Sequence, residues 1–424
     1  MTRQPTIAII GATFWGNRGA EAMLTTTIGR LRERFPQARF RVFSYYPKND
    51  RRLVQRDDVE ILAANPRALV LGLFPFSLLC GAFRALHLRL PDRLLPQAVR
   101  RLRESDVLLD LGGITFVDGR ERFLPFNVLT LLPAILLGVP VVKLSQAMGP
   151  FAHRWNRLAA GIMLPRCRRI FARGGITEGH LSQLGLPEGA WTGAADVAFS
   201  YRPEDSLSRE NDERTAAILA RISQAAAGPW IAFSPSAVMH EQAVRRGGDY
   251  VGEFLTAISS LAEAHPQASF LVLPNATRQG QATLRNNDLA VIEMMRSRAE
   301  GELALDTLRR VVWVDFDLNT RSIRMLIGRA SVLVTSRFHA MVAGLALGVP
   351  TLVVGWSHKY LEVLAAFGLE SNNLEAEGWE RALPGKVEEM LRDGAAVRAR
   401  IESALPGVKA SSLRQFDVVG QLLA

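Results

Sequence analysis

The chain has 424 residues, 48% of them hydrophobic, and a net charge of +10 from 51 basic and 41 acidic residues. That length exceeds one ordinary core and calls for two domains. Two cysteines, Cys80 and Cys167, exclude a disulfide framework or a cysteine-rich zinc site and fit a reducing compartment. The basic charge would suit nucleic acid, an anionic membrane surface or an acidic substrate. No helix-turn-helix, zinc-finger or aromatic RNA-binding pattern accompanies it, which argues against nucleic acid.

Strand signals alternate with helical ones from Thr6 onward, at 7–10, 39–43, 107–111, 139–144 and 170–172. A stretch rich in charge and turn formers at 201–214 reads as a linker. A second series follows, with strands at 230–234, 269–273, 311–315, 332–335 and 351–354 and helical segments such as 252–264 and 318–329 between them. Two doubly wound α/β domains are expected, one over 1–200 and one over 215–424. The segment 68–83 is uncharged but carries Pro75 and is shorter than the roughly 20 apolar residues a membrane-spanning helix needs. Arg84, Arg89, Arg93, Arg100, Arg101 and Arg103 follow it, so 68–103 has the parts of a peripheral contact at the inner face of a membrane. A buried helical pair with a solvated basic rim is the alternative. The start of the chain lacks the pattern of a secretory signal, and a cytoplasmic location is expected.

The first strand leads into Gly11-Ala12-Thr13-Phe14-Trp15-Gly16-Asn17-Arg18-Gly19-Ala20-Glu21 and then a helix. Thr13 breaks the dinucleotide-binding pattern, and Asn17 and Arg18 break the P-loop pattern, so neither NAD nor ATP is supported. The glycines allow close ligand approach or simply a tight turn, while Asn17 and Glu21 offer hydrogen-bonding groups. A strand over 107–111 runs into Gly112-Gly113, with Asp118 soon after. Gln146-Ala147-Met148-Gly149-Pro150 and Arg173 follow two more strands. Asp110 reads either as a ligand-facing carboxylate or as a satisfied buried one. In the second series, Ser336-Arg337-Phe338-His339 lies where a strand hands over to a helix, and Trp356-Ser357-His358-Lys359 follows the next strand. Ligand crevices of open α/β sheets lie beyond the carboxyl ends of the strands, and helix starts there favour anions. Two adjacent cationic turns at such ends predict a phosphate or carboxylate guest. Lysine occurs at only five positions, which makes Lys359 informative.

In their order along the chain these pieces resemble the polysaccharide pyruvyl transferase family. The resemblance is carried by Gly16-Asn17-Arg18-Gly19-Ala20-Glu21, Gly112-Gly113 with Asp118, Gln146 with Gly149-Pro150, Arg173, Asp196, Ser336-Arg337-Phe338-His339, Gly348-Val349-Pro350 and Lys359. It implies two Rossmann-like domains in a glycosyltransferase-B-like arrangement, phosphoenolpyruvate as donor, and a pair of sugar hydroxyls on a cell-surface glycan or its lipid-linked precursor as acceptor. It carries donor binding onto Arg173, Arg337, His339 and Lys359. Ala20 and Gly174-Gly175 stand where the family commonly has acids.

Ketal formation needs protonation of the enol carbon and attack by two hydroxyls, with loss of phosphate. Histidine titrates nearest neutrality, so His339 is the candidate general acid. Glu21 and Asp118 are candidates for base or acceptor anchor, and Asn17, Gly112, Gly113 and Gln146 for the acceptor loops. Arginine forks and a lysine suit the two acidic groups of phosphoenolpyruvate, which serves as co-substrate; neither a cofactor nor a metal is expected. A nucleotide-sugar glycosyltransferase is the rival enzyme, and an inactive module binding anionic glycan or membrane is the rival of another class.

Overall fold

The computed structural model describes residues 4–54, 56–187, 189–208, 211–224, 228–280, 286–355, 358–375 and 378–424. Thirteen strands are found among them, in two sheets. The first contains β1 (Thr6–Ile10), β2 (Arg39–Ser44), β3 (Val59–Ala63), β4 (Val107–Asp110), β5 (Val141–Gln146), β6 (Arg169–Ala172) and β7 (Trp191–Gly193), in the order β3-β2-β1-β4-β5-β6-β7. The second contains β8 (Trp230–Ser234), β9 (Ser269–Val272), β10 (Val311–Trp313), β11 (Val332–Thr335), β12 (Thr351–Val354) and β13 (Asn373–Leu374), in the order β10-β9-β8-β11-β12-β13. All pairings are parallel. Helices cover such sheets on both faces, which is why the central strands read as unbroken apolar runs and are buried throughout. Two Rossmann-like folds result, as expected.

The chain divides into two compact units. The first holds 1–15, 20–207 and 409–424; the second holds 16–19 and 208–408. Two segments thus fall outside the contiguous halves read from the sequence. The last turns of the 30-residue helix Gly394–Leu423 belong to the first unit, where the Gln415 side chain accepts from the Ser145 N–H at 2.7 Å and donates to the Ala195 carbonyl at 2.9 Å. The four residues 16–19 cluster with the second unit: Arg18 forms a buried pair with Asp317 at 2.5 Å, and its N–H donates to the Asn275 carbonyl at 3.1 Å.

Pro75 does not interrupt the apolar segment. A π-helical turn at Leu69–Leu73 precedes it, and this local widening lets the helix run on without a break through Pro75 to Ala85. The helical run Pro66–Ala85 reaches 20 residues, long and apolar enough to cross a membrane by length and composition. Leu69, Leu73 and Cys80 pack into the first core, while Leu71 and Leu86 are 72% and 69% exposed. The expected buried helical pair therefore accounts for only one face of this segment.

Candidate active site

In each sheet the strand order reverses at one point, between β1 and β4 in the first and between β8 and β11 in the second. Ligands of open α/β sheets bind at such points. Both coincide with motifs read from the sequence.

In the second unit, β11 ends at Thr335, whose hydroxyl accepts from the Arg337 N–H at 2.9 Å, and the helix Phe338–Ala346 begins at once. The helix Ala237–Arg245 starts beyond the neighbouring β8. The turn between is fixed by buried hydroxyls. Tyr250 donates to Ser336 Oγ at 3.0 Å and accepts from the Ser236 N–H at 3.0 Å, and Tyr360 donates to the Ser336 carbonyl at 3.0 Å. Burial pushes the Tyr250 phenol up, and Tyr360 up to about 12, so both remain donors.

Arg337 is braced by the wholly buried Asp288, with which its guanidinium forms an ion pair, and its Nη1 donates to Asn286 Oδ1 at 2.9 Å. Asp288 also accepts from the N–H groups of Ala237, Asn275 and Ala276, at 2.9, 3.1 and 2.7 Å. One carboxylate thus ties two loops and Arg337 together. His339 lies against the backbone of Gly19: a Cβ at that glycine would stand 2.7 Å from His339 Cβ and closer still to the ring. The Gly19 N–H is held by Asn17 Oδ1 at 3.0 Å. Asn17, Gly19, Arg337 and His339 therefore belong to one unit, an association the sequence reading did not make. Lys359, in the first turn of the helix His358–Ala365, lies 5.6 Å from the centre of the Phe338 ring, which stands edge-on to His339. Trp356 and Ser357 lie outside the described residues.

Glu21, Gly112, Gly113, Asp118, Gln146 and Arg173 belong to the first unit. Glu21 is buried in the first turn of the helix Arg18–Arg34. Asp110 on β4 is a buried carboxylate paired with Lys143 of the adjacent β5, and its other oxygen accepts from the Gly112 N–H at 2.9 Å. Asp110 is thus a satisfied buried carboxylate that also lines a cavity of this unit. Gln146 is also wholly buried, donating to the Asp110 carbonyl at 2.8 Å and accepting from the Thr115 hydroxyl at 2.7 Å. Arg173 bridges Asp196 at 2.7 Å and the Gly113 carbonyl at 3.0 Å. Asp118 has both oxygens engaged, by the N–H groups of Ala152 and His153 and by Asn156 Nδ2, at 2.7, 3.0 and 2.7 Å. Gly174 has φ 90° and ψ 159°, a conformation essentially confined to glycine, so an acid at that position would be strained here.

A cavity of about 220 Å³ opens at the β1–β4 switch point. Gly11, Gly112, Gly113, Arg120, Phe126 and Asn127 are among the residues that line it. Gly11 must be glycine: its φ is +87° and an added Cβ would lie 2.6 Å from the Gly112 nitrogen. Phe116, also lining the cavity, has φ 51°, an uncommon backbone for an aromatic residue. Among the described residues no group of three His, Cys, Asp or Glu is placed to hold a metal ion.

The family profile described as polysaccharide pyruvyl transferase matches residues 17–358. No curated protein gives a significant match. Among solved structures, a putative UDP-N-acetylglucosamine 2-epimerase from Listeria monocytogenes is similar at TM-score 0.62 and 12% identity, over 98% of this chain and 96% of that one. The UDP-GlcNAc 2-epimerase from Neisseria meningitidis, bound to UDP-GlcNAc, is similar at TM-score 0.57 and 12% identity, over 99% of both chains. A glycosyltransferase from Rickettsia africae is similar at TM-score 0.56 and 8% identity, over 99% of both. At these identities the likeness establishes a shared fold of two Rossmann-like domains.

Proposed function

The chain belongs to the polysaccharide pyruvyl transferase family, and on that premise we propose that it moves a pyruvyl group from phosphoenolpyruvate to two hydroxyls of a sugar in a cell-surface glycan or its lipid-linked precursor. The observation that carries this reading is the placement of His339 at the start of the helix beyond β11, against Gly19, with Arg337 capping that helix and Lys359 in the first turn of the next. Lys359 supplies a compact charge and the helix start adds exposed amides, both suited to phosphate or carboxylate. Arg337, already shared with Asp288 and Asn286, contributes a fixed guanidinium at the start of the same helix. Arg173 joins the donor set through the family motif.

His339 protonates the methylene carbon of the enol, so that positive charge develops at the adjacent carbon. One sugar hydroxyl attacks there and loses its proton. A second hydroxyl then displaces phosphate, closing the ketal and losing its own proton; one phosphate is released per ketal formed. Glu21 and Asp118 are the candidate bases, the latter held in place by three hydrogen bonds to its oxygens. The cavity beside Gly112 and Gly113 is the acceptor side in this reading. Calorimetric titration tests the donor: phosphoenolpyruvate binds and UDP-sugars do not. Tight binding of a UDP-sugar without binding of phosphoenolpyruvate would transfer the assignment to a glycosyltransferase.

The same reading places the segment 68–103 on an anionic membrane surface, where lipid-linked sugars reside. The exposed Leu71, Leu78, Leu79, Leu86 and Leu88 beside clustered arginines support this. Replacing Leu71 and Leu78 by Asp should lower co-sedimentation with phosphatidylglycerol vesicles, and unchanged sedimentation of the folded variant would remove the membrane contact.

A further inference from the structure

Every carboxylate in the loops around the 220 Å³ cavity of the first unit already has its donors. Asp110 holds Lys143 and the Gly112 N–H, and Asp118 holds the N–H groups of Ala152 and His153 together with Asn156. Glu121 accepts from the Gly119 N–H at 2.7 Å and faces His153. Two arginines of the same turn have no carboxylate among the described residues. Arg120 lines the cavity with its guanidinium carbon 5.3 Å from the centre of the Phe123 ring, and Arg122 lies 4.8 Å from that same ring. Both arginines are exposed to solvent, so their guanidinium groups stay charged and are accessible to an anion.

The rest of the cavity suits a sugar ring. At about 220 Å³ it is smaller than the roughly 300 Å³ where pockets for larger ligands begin, a size that matches one sugar ring. Phe116 and Phe126 supply apolar walls, the latter braced edge-on by Tyr45 at 5.9 Å. Asn127 and Thr130 supply polar groups for hydroxyls.

We infer that this cavity binds one sugar ring of the acceptor bearing a phosphate or carboxylate, with Arg120 holding the anionic group. The inference rests on the reading of the first unit as the acceptor side, and its test is kept independent of the donor. Glucose 1-phosphate, glucuronic acid, glucose and inorganic phosphate are each titrated calorimetrically into the full chain without phosphoenolpyruvate. At least one of the two anionic sugars should bind about tenfold or more tighter than both glucose and inorganic phosphate. Arg120→Gln should remove that advantage, Arg120→Lys should keep part of it, and circular dichroism confirms folding of each. Preference for the phosphate sugar identifies a phosphorylated reducing end, and preference for glucuronic acid identifies a uronic acid within the glycan. Binding of glucose or of phosphate alone as tight as that of the anionic sugars, no binding of either anionic sugar, or parental affinity in Arg120→Gln would overturn the inference. A chain that binds the anionic sugar but not phosphoenolpyruvate would instead overturn the donor reading and leave this site standing.

Discussion

A single methyl group at Gly19 should separate catalysis from donor binding. The Cβ of Gly19→Ala would stand 2.7 Å from His339 Cβ, where ordinary contact begins at 3.4 Å, and closer to ring atoms Nδ1 and Cγ. His339 Cβ and Cγ sit next to the main chain, so the imidazole cannot simply swing its far end away. Either the histidine or the loop 16–19 shifts, and that loop is anchored by the buried Arg18–Asp317 pair and by Thr320, whose hydroxyl donates to the Arg18 carbonyl at 2.8 Å. The strain should cost about 1–3 kcal/mol of stability. A general acid displaced by about 1 Å loses on the order of a hundredfold in turnover. Phosphoenolpyruvate affinity should change little, because Lys359 lies on another helix and Arg337 is fixed by Asp288 and Asn286. Single-turnover kinetics with phosphate release, beside a donor titration and a urea melt, read the three effects separately. A folded Gly19→Ala protein with parental turnover would refute the role assigned to His339 and its packing.

His339→Ala should remove most turnover while leaving donor binding measurable, whereas Lys359→Ala should weaken donor binding about ten- to hundredfold; steady-state kinetics with titration distinguishes these patterns. Arg337→Ala should also destabilise the fold by about 3–5 kcal/mol, because it strips the buried Asp288 of its counter-charge, and a denaturant melt compared with Arg337→Lys checks this. Lys143→Met should cost a similar amount by leaving Asp110 unpaired beneath the cavity, and simultaneous replacement of both residues should cost less than the single change. Burial holds the His240 imidazole below its ordinary value, so its contribution is intact above about pH 6.5 and is lost as pH falls, when the unfolded chain takes up the proton first. Urea midpoints at pH 7.5 and 5.5 should therefore diverge more in the parent than in His240→Gln.

The central strands and their ligand-bearing ends were legible because buried parallel strands read as apolar runs and the turns beyond them carry the polar residues. Of the four edge strands only β10, with its apolar run Val311-Val312-Trp313, was legible; β7 and β13 are only three and two residues long, and β3 follows the charged run Arg56-Asp57-Asp58. Pro75 reads as an interruption, yet the π-helical turn just before it accommodates the missing N–H within one continuous helix. The return of 409–424 to the first unit rests on Ser411, Ser412 and Gln415, polar residues that look solvated along a helix until the backbone groups they satisfy are seen. Asp288 reads as a helix-start residue, and its grip on Arg337 spans 49 positions that no local motif connects. Gly19 belongs to a recognisable glycine loop, but its contact with His339 joins opposite ends of the chain.

The most direct test of the central claim is to incubate the protein with phosphoenolpyruvate and lipid-linked or free glycan acceptors and to follow both products. The account predicts one phosphate released for each glycan that gains the mass of pyruvic acid less one water, with neither product formed by folded His339→Ala. Glycosyl transfer from a UDP-sugar by the same preparation, with no phosphate and no pyruvyl gain from phosphoenolpyruvate across the acceptors, would contradict it.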